Sequence, residues 1–306
     1  MDAPRAARLQ ILAAAALFST GGAAIKACTL TAWQVAAMRS GVAVVALLLL
    51  APAARRGFTW RTPVVGMAYG ATVLLFVLSN KLTTSANSIF LQSTAPLYVL
   101  LMGPLLLKEP ILRSQAWFLA ALAIGMALFF VGHEAPVETA PNPPLGNVLA
   151  LASGLTWALT ICGLRWLSGD AKHPGGAAAA AVAGNAIALL AALPLALPLV
   201  DVTPLDGGLV VGLGVFQIGL AYALLTRATF HVTALEATLL LLLEPVLNPI
   251  WSWLFHGERP SPWSLAGGAI ILLATLVRAR LSHEDDPPLV TVGAGRFEQD
   301  RPSPSP

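Results

Sequence analysis

Long runs of apolar residues, separated by short polar connections, fill most of the chain up to residue 280. A membrane-spanning helix needs about 20 mostly apolar residues, and ten runs approach that length. They cover residues 9–25, 32–51, 64–78, 86–107, 114–132, 145–167, 176–200, 207–226, 233–255 and 262–279. Residues 42–50 are apolar throughout, unlike membrane β-strands, which alternate at every second residue. We therefore predict an all-α membrane protein with ten transmembrane helices.

The composition excludes several classes of protein. Of the 306 residues, 57% are hydrophobic and 11% are charged, whereas soluble domains carry about 25% charged residues. A soluble enzyme and a disordered chain are thereby excluded, and two cysteines, Cys28 and Cys162, are too few for a disulfide scaffold. Arg5 and Arg8 precede the first run as in a signal peptide, but the internal repeat described below requires this run as its first helix.

Lysine and arginine are distributed unevenly between the predicted loops. With the N-terminus in the cytoplasm, fourteen of the eighteen basic residues fall in cytoplasmic segments and three fall outside, while Arg39 lies within a span. Basic residues accumulate on the cytoplasmic side of membrane proteins, so both termini are predicted to be cytoplasmic. The polar, proline-rich residues after position 280 are expected to form a disordered tail there.

The two halves of the chain resemble each other. Pro96 aligns with Pro245 and Glu109 with Glu258, both at an offset of 149 residues. Each half has an odd number of predicted helices, so the second half must enter the membrane from the opposite side. Inverted repeats are typical of transporters that bind substrate at the midplane between their halves. We predict a first five-helix repeat at 1–132, an external linker at 133–144, an inverted second repeat at 145–280 and a tail at 281–306.

Two charged residues lie deep within predicted spans. Arg39 and Glu244 are each about 16 to 18 Å from the cytoplasmic end of their helix, at 1.5 Å per residue. Charges at such depth are costly and usually functional. One interpretation is a structural ion pair between the two residues. The other is that Glu244 faces a cavity, where it binds a substrate amine or takes up a proton.

Aromatic and polar residues at similar depth complete the predicted substrate site. Aromatic walls suit the apolar parts of a small ligand, and a few polar groups fix its orientation. Packing or ordinary interhelical hydrogen bonds would also explain each residue singly. The candidate substrate-binding residues are Glu244, Arg39, Trp157, Tyr222, Phe18, Phe76, Gln92, Tyr98, Gln217 and Asn248.

Proline and glutamate mark the repeat-related fourth and ninth helices. Pro96 and Pro245 each remove a backbone donor, and such breaks in transporters expose polar backbone to a cavity; a simple packing kink is the alternative. Glu109 and Glu258 each end a helix, where a carboxylate opposes the helix dipole. We expect them to bond backbone amides at a helix start and to act in structure or gating rather than in substrate binding.

The paired motifs are similar to those of the EamA branch of the drug/metabolite transporter superfamily. There, each half has a stretch like Thr84-Ser85-Ala86, a helix with a central proline, a glutamate at its end and a Gln/Trp-Leu-Gly helix. The corresponding segments are Pro96, Leu107-Lys108-Glu109 and Gln115-Ala116-Trp117, then Glu244-Pro245-Val246, Phe255-His256-Gly257-Glu258 and Trp263-Ser264-Leu265-Ala266-Gly267. The resemblance covers residues 8–280, with Phe18 standing where tryptophan is common. It implies export of amino acids or other small metabolites across the inner membrane.

The sequence shows no motif for chemistry. P-loop, HExxH and GxSxG patterns are missing, and the five histidines lack metal-ligand spacing, so we expect neither enzymatic activity nor a cofactor. We predict a multi-pass secondary transporter, acting as a monomer in the lipid bilayer on a small-molecule substrate, with no nucleic-acid partner. A multidrug exporter that binds lipophilic cations at Glu244 and the aromatic residues is the alternative. A lipid-acting membrane enzyme and a non-transporting scaffold or sensor are further rivals.

Overall fold

The computed structural model describes residues 3–102, 116–131, 136–168, 175–199, 201–228 and 240–285. Within these ranges the secondary structure is helical, apart from one isolated β-bridge between Val137 and Ala140, which confirms the all-α prediction. The helices are α1 (Ala3–Ser19), α2 (Gly21–Ala27), α3 (Ala32–Leu50), α4 (Arg61–Leu82), α5 (Ser85–Gln92), α6 (Ala95–Met102), α7 (Ala116–Val131), α8 (Pro143–Ser168), α9 (Gly176–Ala196), α10 (Pro204–Gly212), α11 (Ala221–Ala228), α12 (Leu243–His256) and α13 (Pro262–Asp285).

The chain is a multi-pass membrane protein. Six helical segments of the described chain are long and apolar enough to cross a membrane: Arg5–Ala27, Ala32–Leu50, Arg61–Leu82, Pro143–Leu164, Gly176–Ala196 and Pro204–Leu225. Two shorter apolar helices, Ala116–Val131 and Pro262–Arg278, coincide with further predicted spans. Large apolar side chains such as Leu49, Leu190 and Leu273 project outward from these helices, as a lipid environment requires.

The first predicted span is not one continuous helix. It breaks at Thr20, between α1 and α2, where the hydroxyls of Ser19 and Thr20 each donate to a backbone carbonyl three residues earlier at 2.7 Å. Hydroxyl bonds of this kind compete with the helical ladder. Gly21 and Gly22 follow directly and weaken the helix further.

The fourth predicted span breaks in the same way. Ser93 donates to the carbonyl of Ile89 at 2.7 Å and Thr94 donates to that of Leu91 at 2.6 Å. Pro96 then lies in the first turn of α6, where a missing N–H is tolerated. The central proline therefore starts a second half-helix and does not kink a continuous one.

The repeat-related proline has an equivalent position. Leu242 lies in a turn and α12 begins at Leu243, so Pro245 also occupies the first turn of a half-helix. This turn contains Glu244 as well. Both spans are thus divided within three residues before the repeat-related prolines Pro96 and Pro245.

The segment between α10 and α11, Leu213–Leu220, is a π-helix. It packs closely against α3 through two glycines. A Cβ atom at Gly214 would lie 2.6 Å from Val42, and one at Gly219 would lie 2.7 Å from Ala46. π-Helical turns are frequent at functional sites, and this one carries Gln217.

The end of the chain differs slightly from the prediction. Helix α13 continues to Asp285, into the segment expected to be a tail, and residues 286–306 lie outside the described part of the chain.

A buried carboxylate joins the two halves. Asp206, in the first turn of α10, accepts hydrogen bonds from the amide and hydroxyl of Thr29, both at 2.7 Å. It also accepts from the amide and hydroxyl of Thr203 at 3.1 and 2.6 Å. These bonds attach the start of α10 to the connection between α2 and α3.

We expect Asp206→Ala to lower the free energy of unfolding by about 3 kcal/mol, because four hydrogen bonds to a charged acceptor are lost, two of them from Thr29 of the other half. Ser261→Ala is the control, because it removes a cap local to α13 and costs about 1 kcal/mol. Unfolding of the purified chain in detergent measures both. Equal losses in the two variants would contradict the joining role of Asp206.

Candidate functional site

A cavity of about 140 Å³ lies between helices of both halves of the chain. Its lining comes from α1, α3, α4 and α5 of the first half and from α8, the π-helix, α11 and α12 of the second half. Eight of the ten candidate substrate-binding residues meet here: Phe18, Arg39, Phe76, Gln92, Trp157, Gln217, Tyr222 and Glu244.

The other two candidates lie elsewhere. Tyr98 follows the break at Ser93 and Thr94, and its ring packs against α8, within 3.3 Å of where a Cβ of Gly154 would lie. Asn248 is fully buried one turn after Glu244 and faces Gly22 of α2. Neither residue lines the cavity.

Tyr69 also lines the cavity, although it is not among the site residues predicted from the sequence. The ring of Tyr69 packs directly against Gly184 of α9. A Cβ atom at Gly184 would lie only 2.5 Å from the ring, so there is no room for a side chain at this position. The signal was present in the sequence: Tyr69 precedes Phe76 by seven residues, and this spacing puts both on one face of α4.

The cavity contains one positive and one negative side chain, and they do not pair with each other. Arg39 is 3% exposed and lies beside the phenols of Tyr69 and Tyr222. Its Nε and Nη1 atoms have no hydrogen-bond partner in the described structure. The ion pair considered between Arg39 and Glu244 is not formed; instead, Tyr222 lies close to both charges.

Glu244 lies at the N-terminal end of a half-helix, and its side chain is partly accessible from the cavity. The N-terminus of a helix carries a partial positive charge that favours a carboxylate. In broken transporter helices these ends point at the ionic groups of the site. The break before Pro245 therefore places Glu244 at a helix N-terminus, which lowers the free-energy cost of a carboxylate at this depth.

Aromatic rings form one wall of the cavity. Phe18 meets Tyr222 edge to face with ring centroids 5.3 Å apart, and Tyr69 meets Tyr222 in the same way at 5.6 Å. Edge-to-face contacts are a favoured arrangement of aromatic pairs. They connect α1, α4 and α11 around the two charged groups.

Hydrogen bonds hold the polar lining residues Gln92 and Thr72 in place. Gln92 donates to the hydroxyl of Ser153 at 2.7 Å, and Ser153 donates to the carbonyl of Thr72 at 3.3 Å. Thr72 in turn donates to Thr156 at 3.0 Å. Gln217 contributes a buried Oε1 atom without a partner among the described residues, so an acceptor remains available at the cavity.

An ion pair lies beyond the cavity, on the predicted outer side. Lys26 and Glu258 meet at 2.7 Å, with side chains only 2% and 3% exposed. Lys26 also donates to the carbonyls of Thr83, at 2.8 Å, and Thr139. Glu258 accepts from the amide of Ser85 at 3.0 Å, which is the expected contact with a helix start. Its repeat-related partner Glu109 lies outside the described residues.

A larger groove of about 410 Å³ opens to the surface between α2 and α10. Its lining is mainly apolar, with Thr20 and Gln217 as polar members and no charged residue. The smaller cavity is the better candidate site, because only it combines charges, aromatic rings and hydrogen-bonding groups.

Comparison with known proteins identifies related exporters. The profile of the EamA-like transporter family matches residues 6–131 and again 144–279. The chain is 30% identical over 198 residues to the pseudopaline exporter CntI from two strains of Pseudomonas aeruginosa. This match covers 64% of the chain and 66%, just under two thirds, of each exporter.

Two further comparisons cover more of the chain. It is 31% identical over 269 residues to the uncharacterised protein PA1977 of Pseudomonas aeruginosa, covering 82% of this chain and 88% of that protein. One crystal structure is 19% identical, has a TM-score of 0.61 and matches 91% of this chain and 98% of its own. At this identity the likeness concerns the fold alone.

We expect Arg39→Met to keep or raise the stability of the protein, because it replaces a buried, unpaired charge with an apolar side chain of similar size and removes the cost of desolvating that charge. Lys26→Met serves as the comparison, since it leaves Glu258 buried without its partner and costs about 3 to 5 kcal/mol. Unfolding in detergent measures both variants. A large loss of stability in Arg39→Met would show that Arg39 is ion-paired after all.

Proposed function

The chain belongs to the EamA-like transporter family, and we propose that it is a secondary active transporter that exports amino acids or similar small metabolites across a bacterial inner membrane. The observation that carries this proposal is the cavity, in which Arg39 and Glu244 face a common space without pairing. Two opposite charges held apart in this way suit a ligand that itself carries both charges.

The chemistry of the lining supports a small amphoteric substrate. The free donors of Arg39 suit a carboxylate, and the carboxylate of Glu244 suits an amine. The aromatic wall around Tyr222 suits the apolar part of the ligand. Pockets for drug-sized ligands measure roughly 300 to 1,000 Å³, so a cavity of about 140 Å³ favours a small metabolite over a drug. Export is supported by the similarity to the pseudopaline exporters.

We further propose that the chain forms ten transmembrane helices, as two inverted five-helix repeats with both termini in the cytoplasm. The family profile matches each half separately, at 6–131 and 144–279, and the residues between these matches correspond to the external linker. The excess of basic residues in alternate loops supports the orientation.

Alternating access requires that the outer side be closed while the cavity loads from the cytoplasm. The Lys26–Glu258 pair supports this closed arrangement, because it ties α2 to the end of α12 and, through the Ser85 amide, to the start of α5. We assign Glu258 a gating role: these contacts separate when the halves rock and substrate leaves. Pro96 and Pro245 begin the half-helices that move.

We expect the purified protein in proteoliposomes to exchange labelled amino acids, and we expect Glu244→Gln to lower the exchange rate by at least about tenfold. Loss of a charge-assisted contact with the substrate amine costs about 1.5 to 3 kcal/mol, and each 1.4 kcal/mol corresponds to tenfold. Glu138→Gln is the matched control, because Glu138 is an exposed carboxylate outside the cavity and its replacement should leave exchange unchanged.

A specific result would favour the alternative function. If a broad panel of metabolites gives no exchange, while cells that overproduce the protein resist cationic dyes and lose this resistance in Glu244→Gln, the protein is a multidrug exporter. Its aromatic residues and Glu244 would then receive lipophilic cations.

A further inference from the structure

A row of buried polar side chains continues along α12 beyond the cavity. Glu244, Asn248 and Ser252 recur at every fourth residue, so they share one face of the helix. Asn248 is 0% exposed and Ser252 is 1% exposed. Both amide atoms of Asn248 and the hydroxyl of Ser252 lack a hydrogen-bond partner within the described part of the chain.

The row faces α2 and α5, where a further unpartnered group adjoins it. A Cβ atom at Gly22 would lie 2.7 Å from Oδ1 of Asn248 and 2.8 Å from Oγ of Ser85. The hydroxyl of Ser85 is fully buried and also lacks a partner in the described structure. The amide of Asn248 and the hydroxyl of Ser85 therefore lie side by side against Gly22.

The two ends of the row are ionisable groups. Glu244 lies at the cavity end, and Ser252 follows it about 12 Å further along the helix at 1.5 Å per residue. At the other end, the Lys26–Glu258 pair adjoins Ser85 through the bond from its amide. Pro249 lies within the row and cannot donate to the carbonyl of Pro245, so an additional backbone acceptor is left along this stretch.

Buried polar groups are nearly always paired, either with protein or with ordered water. Here several unpartnered groups follow one another along one helix face, between a cavity carboxylate and an outer ion pair. Water bound between these groups would satisfy Ser252, Ser85 and Asn248 and would link them in a chain of hydrogen bonds.

We propose that Asn248, Ser252 and Ser85 hold a water-filled path through which protons from the outer side reach the carboxylate of Glu244 and drive export. This proposal rests on the proposed transport function and identifies its coupling ion. One proton enters along the water chain and forms an O–H bond at the carboxylate of Glu244. The neutral carboxyl group no longer holds the substrate ammonium, which keeps its own proton and leaves to the outer side. The proton leaves Glu244 to the cytoplasm in the inward-open state, so one proton enters for each substrate exported.

The surrounding groups leave Glu244 as the proton acceptor of the cavity. Its charged and titratable neighbours there are Arg39, Tyr69 and Tyr222. The helices packed against α12 are α1, α2 and α5. Helix α5 has no ionisable residue and α2 brings Lys26, which is paired with Glu258, while α1 brings Arg5 and Arg8 near its own N-terminus.

The test uses the full-length protein in proteoliposomes, with a mixture of tritiated amino acids as the probe. A lumen more acidic than the medium should drive accumulation of label by the wild type. In Ser252→Ala this accumulation should fall to the level measured without a gradient, while exchange at equal pH is retained. Asn248→Leu, which fills the path with an apolar side chain, should abolish the gradient-driven part as well.

Ser79→Ala is the matched control, because the Ser79 hydroxyl is equally buried but donates to the carbonyl of Phe76 at 2.9 Å and pairs with Ser88. It should accumulate label like the wild type. The proton path is overturned if the wild type exchanges label but does not respond to the pH gradient, or if Ser252→Ala and Asn248→Leu accumulate label normally. If the wild type shows no exchange, the transport function itself fails and the path fails with it.

Discussion

The interior of a bilayer does not solvate a lone charge, and this constraint governs where the protein keeps its few ionic groups. Charges in transmembrane segments are rare and face cavities or partners. Lys26 and Glu258 satisfy the constraint by pairing with each other and with backbone groups. Arg39 and Glu244 satisfy it differently, because each faces the common cavity and lies near Tyr222. In the proposed mechanism the first pair closes the outer side, whereas the second leaves a space for a ligand.

The interruptions of the helices follow from the same constraint. Backbone groups at membrane depth are left unpaired only where protein or a cavity receives them. The hydroxyls of Ser93 and Thr94 end α5, and the turn at Leu242 precedes α12. The turn at Leu242 places the N-terminus of α12, and with it Glu244, beside the cavity. A second helix N-terminus, at Ser85 after the connection from α4, donates its amide to Glu258 of the outer ion pair.

Much of this arrangement could be predicted from the sequence, and the reasons are physical. Apolar run length predicts helices, and the rise per residue gives depth, so Arg39 and Glu244 were recognised as residues at one level. Depth does not give the direction of a side chain, however, so their lack of pairing required the structure. The same limitation explains Asn248, whose depth is suitable but whose side chain faces α2. The breaks near Pro96 and Pro245 were predicted from the prolines, but the break at Thr20 was not, because the hydroxyl-to-carbonyl bonds of Ser19 and Thr20 depend on side-chain rotamers that an apolar pattern does not encode.

The central claim is that two halves of opposite orientation enclose the cavity, and labelling of equivalent loops tests it most directly. Two variants are needed, each lacking Cys28 and Cys162 and carrying one new cysteine, Arg56→Cys or Val202→Cys. Arg56 lies between the second and third predicted helices of the first half, and Val202 lies between the second and third predicted helices of the second half. A membrane-impermeant maleimide should label Val202→Cys in intact cells and Arg56→Cys only in inverted vesicles. Labelling of both positions from the same side would contradict the inverted arrangement and the shared cavity with it.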